Sequence, residues 1–272
     1  MVELSVCLEP LFTGLTVPAR IAKIAQAGYR FVEFWHPEAT FDGRQLRFDQ
    51  AKDPAEICRV CRDHGVTVSD FAIHAWDGSI GGSPVKAHDR DPYLAQLRKM
   101  IGFGKSIGCS RGITLSGMID SSLSRSQMRQ NLEGALAEAV RIAAESDFTL
   151  LLEPLNTLVD HPGYYLDSAS EGAAIVRSIN SPHLKLLYDV YHMQIMEGNV
   201  LATIERNLDI IGHFHAAGVP GRGELFDSEL NYPAILKRLG ALGYQGCFGL
   251  EYFPRWEDHL ASLQQIRAYL GA

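Results

Sequence analysis

The chain has 272 residues, of which 46% are hydrophobic and 21% charged, a composition that allows a large buried core and argues against disorder. Its 25 basic and 32 acidic residues give a net charge of −7, which argues against a nucleic-acid partner, because phosphate backbones are held by excess positive charge. No apolar run approaches the roughly 20 residues of a membrane helix, and MVELSVCLEP lacks a signal-peptide pattern, so we expect no membrane association.

Short β-rich runs alternate with helical stretches along the whole chain. The predicted strands are Ser5–Glu9, Phe31–Trp35, Thr67–Ile73, Arg111–Leu115, Phe148–Glu153, Leu184–Asp189, Ile211–His215 and Cys247–Glu251. The predicted helices include Val17–Ala27, Asp53–Asp63, Pro92–Ile107, Ser124–Glu145, Ser168–Ser178, Asn199–Asn207 and Tyr232–Leu242. Several are followed by Gly, as in RDHGVT and KSIGCS, which is typical of a left-handed helix C-cap.

The alternation predicts an α/β fold with a parallel sheet. The strands are continuous apolar runs, as strands buried on both faces require. Eight βα units with no break in composition predict a (β/α)₈ barrel, or TIM barrel, that spans residues 1–272 as a single domain. An open doubly wound sheet is the alternative. It usually has a Gly-rich phosphate loop after its first strand, and SVCLEPLFTG contains none.

The five cysteines are scattered and odd in number, which argues against a disulfide framework and indicates a reduced, cytoplasmic compartment. Cys58 and Cys61 form a C-x-x-C motif within the predicted helix Asp53–Asp63. Redox motifs of this kind sit at a helix start, and a zinc site needs a second pair of ligands. We therefore interpret this pair as structural, and a redox or metal role is the alternative.

Polar side chains close four successive predicted strands in the second half of the chain. Glu153 follows the apolar run TLLL, Asp189 ends LKLLYD, and Glu251 follows CFGL. His213 and His215 share one face of the seventh strand, because side chains alternate with a period of two. In a (β/α)₈ barrel the active site lies at the carboxyl ends of the strands, so we expect these side chains at one rim.

A divalent cation would hold these carboxylates together. Converging carboxylates repel one another, and a buried charge is costly unless it is paired or metal-bound. A lone strand-end Glu also occurs as a helix cap or an ion-pair partner, but four such residues in register predict a shared site. Oxygen ligands with one imidazole suit Mn²⁺, Mg²⁺ or Co²⁺. The predicted ligands are Glu153, Asp189, His215 and Glu251.

The two histidines of the seventh strand are given different roles. His215 is predicted as the ligand because it lies nearer the carboxyl end of the strand. His213 is predicted to be a hydrogen-bonded core histidine.

The segments LLEPLN, LYDVYHMQIMEGN, GHFHAAGVPGR, ELNY and GLEYFP resemble the hydroxypyruvate isomerase family, within the xylose isomerase-like barrels. The resemblance is close from Leu150 to Pro254. It implies an aldose–ketose type of isomerisation, such as hydroxypyruvate to tartronate semialdehyde, with Glu153 and Glu251 as proton donor and acceptor. It also implies the same four metal ligands. The related ketose 3-epimerases have a substrate-binding His three residues after the metal-binding Asp, which matches His192.

The sequence departs from the family pattern in several places. Many hydroxypyruvate isomerases have Gln at the position of His215. A loop that usually reads GRHEP and then GELNY reads GRGELFDSELNY here. The segments FVEFWHPEATFDG and FAIHAWDGSIGGSPVKAHDRDP follow the family only loosely, and the resemblance places these loops around the substrate. The identity of the substrate is therefore left open.

The expected chemistry is proton transfer next to a carbonyl group. A metal on the carbonyl and hydroxyl oxygens stabilises the enediolate, and one Glu takes the proton that the other, or the same one, returns. We expect His192 to donate to a substrate oxygen and Arg222 to bind a carboxylate through a bidentate pair. A surface loop cation is the alternative for Arg222. The expected substrate is a small hydroxy-carbonyl compound or sugar.

Other functions remain open at this stage. A ketose 3-epimerase would use the same residues. A metal-dependent endonuclease would need further His and carboxylate ligands and a basic face, which the acidic charge argues against. A non-catalytic sugar-binding barrel would not need two opposed carboxylates at the metal. The oligomeric state is left open, with a homo-oligomer among the options.

Overall fold

The structure is a computed structural model that describes residues 2–271. Its sheet strands, numbered along the chain, are β1 (Glu3–Cys7), β2 (Phe31–Phe34), β3 (Thr67–Phe71), β4 (Arg111–Thr114), β5 (Thr149–Leu152), β6 (Leu184–Asp189), β7 (Ile211–Ala216) and β8 (Cys247–Leu250). The eight predicted strands are confirmed, with bounds that shift by at most two residues.

The helices are α1 (Val17–Gln26), α2 (Pro54–His64), α3 (Arg90–Ile107), α4 (Arg125–Ala144), α5 (Ala169–Ile179), α6 (Val190–Met196), α7 (Val200–Asn207), α8 (Tyr232–Ala241) and α9 (His259–Leu270). The predicted helices are confirmed. A short antiparallel hairpin pairs Thr40–Phe41 with Leu46–Arg47. Within residues 2–271, no helix combines the length and the apolar character that crossing a bilayer requires.

The sheet has the strand order β3-β2-β1-β8-β7-β6-β5-β4. The neighbouring pairs β2–β3, β1–β2, β1–β8, β7–β8, β5–β6 and β4–β5 are all parallel. Directly after β3, Ala72 bridges in parallel to Ile113 in β4. A cyclic order of eight parallel strands with intervening helices is the (β/α)₈ barrel, so the predicted fold class is confirmed.

The chain divides into two compact units. The first contains the residues up to Phe71 together with those from His213 onward, and the second contains Ala72–Gly212. The first unit holds β1, β2, β3 and β8, and the second holds β4, β5 and β6. That residues 1–272 form a single domain stays a prediction.

Local sequence signals explain where the helices begin and end. The side chain of Asp53 accepts from the backbone N–H of Ala55 at the start of α2, and Ser124 forms a capping box with Gln127 at the start of α4. Gly65 and Gly108 end α2 and α3 at φ 65° and 70°, a left-handed conformation that glycine adopts without strain.

Two buried cations hold the loops that follow β1 and β2 in the first unit. The guanidinium of Arg20 donates to backbone carbonyls that include those of Leu15, Thr13 and Phe41. The ammonium of Lys52 lies 2.7 Å from Glu9 Oε1, and both side chains are almost fully buried. Lys52 also donates to the carbonyls of His36 and Ala39. A buried charge is stable only when it is paired and hydrogen-bonded in this way.

Candidate active site

In the first unit, the strand ends of β7 and β8 bring His215 and Glu251 together. His215 is the fifth residue of β7, and Glu251 directly follows β8, where its N–H donates to Ala216 O at 3.0 Å. His215 Nδ1 lies 3.7 Å from Glu251 Oε2, and both side chains are buried. These two predicted ligands are therefore neighbours, and their role in binding a metal stays a prediction.

The carboxylate of Glu251 is held by two further donors. The indole Nε1–H of Trp35 donates to Oε1, and Arg222 Nη2 donates to Oε2 at 2.5 Å. Burial by itself would raise the pKa of Glu251, but the charges of Arg222 and His215 and the hydrogen bond from Trp35 hold it below its ordinary value. Glu251 is therefore an ionised acceptor near neutral pH.

Arg222 lies in a turn after β7. Its backbone has φ 55°, its guanidinium lies 5.6 Å from the ring centroid of Phe253, and its carbonyl accepts from Phe253 N at 2.7 Å. The side chain is only 12% exposed, so Arg222 is not the solvent-exposed loop cation that the sequence left as an alternative. Substrate binding by Arg222 stays a prediction.

In the second unit, the strand ends of β5 and β6 bring Glu153 and Asp189 together. Glu153 follows β5, and its N–H donates to Thr114 O at 3.1 Å. Asp189 ends β6, and its Oδ1 accepts from His192 N at 3.0 Å, which caps α6. The two buried side chains each place an oxygen within 4.8 Å of the other. Like charges this close favour a cation between them or a shared proton.

His192 lies beside Asp189 on the first turn of α6. Its Nε2 lies 3.5 Å from Asp189 Oδ2, and its Nδ1 lies 2.7 Å from the amide Nδ2 of Asn156. Asn156 is itself fixed, because its Oδ1 accepts from the N–H groups of Val159 and Asp160. Asn156 lies three residues after Glu153 in LLEPLN and was not among the predicted site residues.

The first unit also contains a buried cluster of two acids and two histidines, of which Glu33 and Asp70 were not predicted. His213 Nε2 lies 3.1 Å from Glu33 Oε2 and 3.3 Å from Asp70 Oδ2, and His215 Nε2 lies 3.2 Å from Glu33 Oε1. The prediction that His213 is a hydrogen-bonded core histidine is confirmed. The signal for Glu33 and Asp70 was a lone acid in each of the runs FVEF and TVSDF.

The electrostatics of this cluster differ between its two acids. Burial by itself would raise the pKa of Glu33, but the charges of His215 and His213 and the hydrogen bond from His213 hold it well below its ordinary value. Burial instead raises the pKa of Asp70, which the charge of His213 only partly offsets. Glu33 is therefore the ionised acceptor to which both rings turn.

The donor atoms at these strand ends fit a hard divalent cation. Glu153 and Asp189 supply carboxylate oxygens in one unit, and His215 and Glu251 supply an imidazole and a carboxylate in the other. Such donors, with no thiolate among them, suit Mn²⁺, Mg²⁺ or Co²⁺ better than a structural zinc ion. These acidic and histidine groups could thus bind a metal. That all four hold one ion stays a prediction.

Comparison with known proteins agrees with the fold. Residues 21–269 match the family model described as xylose isomerase-like TIM barrel. The chain is 32% identical over 268 residues to hydroxypyruvate isomerase of Escherichia coli, covering 95% of this chain and 99% of the relative. It is 33% identical over 255 residues to 2-oxo-tetronate isomerase of Cupriavidus necator, covering 93% and 92%.

A solved structure of an AP endonuclease, family 2, from Brucella melitensis has a TM-score of 0.86 to this chain. The two are 26% identical, and the match covers 100% of this chain and 98% of the other. The chain belongs to the xylose isomerase-like TIM barrel family. Within that family, both of the relatives compared above are isomerases by name.

Proposed function

We propose that this protein is a divalent-metal-dependent isomerase of a small hydroxy-carbonyl acid, most like hydroxypyruvate isomerase. One observation carries the proposal: four strands that are neighbours in the sheet, β5 to β8, each carry a residue able to bind a metal at or next to their carboxyl end. The carboxyl ends of neighbouring parallel strands lie at the same rim. Two relatives that act on small hydroxy-keto acids, by their names, support the same class of substrate.

The proposed ligands are Glu153, Asp189, His215 and Glu251. A bound Mn²⁺, Mg²⁺ or Co²⁺ would supply Lewis-acid stabilisation of charge on the substrate oxygens. Glu153 and Glu251 are proposed to move the proton, one as acceptor and the other as donor. The contacts from Arg222 and Trp35 support Glu251 as the proton acceptor, because they keep its carboxylate ionised and fix the direction of its oxygens.

Two further side chains are proposed to bind the substrate. His192, oriented by Asn156, donates to a substrate oxygen. A guanidinium has five N–H donors in a planar fork, so Arg222 can hold Glu251 with one edge and a substrate carboxylate with another. A carboxylate on the substrate distinguishes the hydroxy-keto acids from neutral ketoses, which offer Arg222 only uncharged oxygens.

A ketose 3-epimerase is the second candidate. The placement of Glu153 and Glu251 after β5 and β8, with two strands between them in the sheet order, favours it as well. Two separated carboxylates suit removal of a proton from one face of a carbon and its return to the other. The two reactions use the same residues and differ in the carbon that receives the proton.

The test is turnover of defined substrates by the purified protein. Metal-stripped protein, reloaded with Mn²⁺, Mg²⁺ or Co²⁺, is assayed on hydroxypyruvate, on 2-oxo-tetronates and on neutral ketoses. We expect conversion of a hydroxy-keto acid that chelation abolishes and metal restores. Glu153→Gln should lower kcat by about 100-fold or more, because the amide keeps the shape and loses the base. The matched control is Glu171→Gln, an acid of α5 whose partners are Arg125 and Tyr165.

Three outcomes would contradict the proposal. Turnover that is unchanged after chelation would exclude the metal role. Ligand binding without turnover across the whole panel would favour a non-catalytic sugar-binding barrel. Conversion of neutral ketoses alone, with inversion at C3, would support the epimerase.

A further inference from the structure

Glu33 lies directly behind the proposed metal ligand His215. Its Oε1 faces His215 Nε2 at 3.2 Å, and its Oε2 faces His213 Nε2 at 3.1 Å. All three side chains are buried. Because His215 Nδ1 faces Glu251, the imidazole has its two nitrogens turned to two different carboxylates. Glu33, the acid on the Nε2 side, has no part in the proposed reaction.

The carboxylate of Glu33 is itself held in place. Ser69 Oγ donates to its Oε2 at 3.4 Å, and Asp70 Oδ2 lies 3.3 Å from the same Nε2 of His213 that Glu33 contacts. The ring of His213 is thus fixed between two acids. These partners hold Oε2 of Glu33 in place, and its other oxygen, Oε1, therefore faces His215.

The neighbouring strand leaves a gap for this contact. Gly249 in β8 pairs with His215 in β7, and it adopts an ordinary strand conformation that does not require glycine. A Cβ atom at this position would collide with Glu33 Oε1 and would come within 2.7 Å of His215 Cδ2. The residue is therefore glycine for reasons of space, because only a strand without a side chain accommodates the Glu33–His215 pair.

We propose that Glu33 is a positioning residue that holds His215 in the Nε2–H tautomer and so presents the Nδ1 lone pair to the metal. Metal-binding histidines commonly donate their second ring N–H to a carboxylate, which fixes the tautomer and the ring orientation. The inference rests on the proposed function for the identity of His215 as a ligand. The contacts among Glu33, His213 and Gly249 are observed independently of it.

An alternative role for the cluster around Glu33 is to bind a second metal ion. Glu33, Asp70, His213 and His215 each place a donor atom within 4.8 Å of the others, so the cluster could itself enclose an ion. The hydrogen-bond geometry between the His213 ring and Glu33 favours a shared proton instead. The number of ions bound per chain distinguishes a second ion site from a hydrogen-bonded cluster.

The experiment measures Mn²⁺ binding and the histidine tautomer in the full-length protein. Titration calorimetry of the metal-stripped protein with Mn²⁺ should give one site per chain. Glu33→Gln and Gly249→Ala should each weaken this binding by about 10- to 100-fold, the usual effect of losing such a partner. At saturating Mn²⁺ kcat should recover toward the wild-type value. The control is Glu171→Gln, which makes the same Glu-to-Gln change on α5. This variant should bind Mn²⁺ like the wild type.

Nitrogen-15 NMR of the metal-free protein provides a readout that is independent of activity. Above the titration range of histidine, His215 should carry its proton on Nε2 in the wild type, and this preference should be lost in Glu33→Gln. Circular dichroism establishes that each variant is folded, and Gly249→Ala tests the same contact if Glu33→Gln fails to fold.

The outcomes separate the two proposals. Wild-type affinity for Mn²⁺ in both variants, or a proton on Nδ1 of His215, would overturn the positioning role and leave the proposed function standing. Absence of Mn²⁺ binding to the wild type, together with the expected tautomer, would overturn the proposed function and leave Glu33 as the group that sets the tautomer of His215. Two ions per chain, with the second lost in Asp70→Asn, would overturn the positioning role in favour of a second ion site.

Discussion

Arg222 and Glu251 form a direct ion pair, in which Nη2 donates to Oε2 at 2.5 Å while the side chain of Arg222 is only 12% exposed. The two residues are 29 positions apart, in the turn after β7 and at the end of β8. A planar guanidinium controls the direction of its partner as well as its charge. The same contact that keeps Glu251 ionised therefore also fixes where its oxygens point.

The first prediction is that charge alone does not replace Arg222. Arg222→Lys keeps the positive charge but loses the planar fork, and Arg222→Ala loses both. We expect kcat/KM on the hydroxy-keto acid to fall by about 10- to 100-fold for Lys, corresponding to one charged hydrogen bond, and further for Ala. Steady-state kinetics at saturating metal measure both.

The matched control for Arg222 is Arg177→Ala, which removes an exposed arginine paired with Asp209. It should leave kcat/KM unchanged. Wild-type kinetics in Arg222→Ala would show that the ion pair with Glu251 has no part in turnover.

The second prediction concerns the solvent hydrogen. When the reaction runs in D₂O, the carbon that receives the proton should acquire deuterium, unless the base is fully shielded from solvent. For an isomerase this carbon is the original carbonyl carbon, and for an epimerase it is C3 of a ketose with inverted configuration. Proton NMR of the product locates the label. Product labelled at any other carbon would contradict transfer by Glu153 and Glu251.

The third prediction is that the C-x-x-C pair has no catalytic role. Cys58 and Cys61 lie in the middle of α2, and burial, with a smaller contribution from the charge of Cys58, raises the pKa of Cys61 to about 11. A thiol with this pKa is not a thiolate near neutral pH. The double change to Ala should leave kcat intact and lower the free energy of unfolding by about 1–2 kcal/mol.

Urea denaturation measures this cost. Cys58→Ala is the matched control, because Cys58 is only partly buried and should account for the smaller share. A stable double variant with a large loss of kcat would contradict the structural interpretation.

The fourth prediction is a pH dependence of stability at His259. Its Nδ1 accepts from Phe12 N at 2.7 Å, which only the neutral ring can do, and burial lowers its pKa. The unfolded chain therefore takes up this proton at higher pH than the folded protein does. The stabilising contribution is complete above about pH 6.5, the ordinary value for His, and is lost as the pH falls below it.

His259→Gln should lower the free energy of unfolding by about 1 kcal/mol at pH 7.5, the usual value of one hydrogen bond. It should also lose less stability than the wild type between pH 7.5 and pH 5.5. His88→Gln removes a histidine that is 74% exposed, and should keep the wild-type slope. Identical slopes for His259→Gln and the wild type would refute the assignment.

Local patterns were sufficient to predict the strands and the residues at their ends. Apolar runs of four to six residues fix the strands, and parallel strands in a barrel turn their carboxyl ends to one rim. Glu153, Asp189 and Glu251 could therefore be identified as neighbours of strand ends. The prediction that His215, and not His213, is the metal ligand rests on its position along β7.

The partners of these residues could not be predicted, because they are distant in sequence. Glu33 lies 180 positions from His213, and Trp35 lies 216 positions from Glu251. A single acid inside an apolar strand has no local pattern that identifies its partner. Gly249 also has no local pattern that predicts it, since its φ does not require glycine and the side chains of Glu33 and His215 explain it.

The buried pair of Glu9 and Lys52 couples the substitutions that can be tolerated at these two positions. A substitution at either position alone leaves an uncompensated buried charge, at a cost of about 3–5 kcal/mol. A scan of single substitutions should therefore record both positions as intolerant. A library that varies them jointly should recover folded variants such as Glu9→Gln with Lys52→Gln, which keeps a donor for the carbonyls of His36 and Ala39. Over evolution, we therefore expect substitutions at these two positions to occur together.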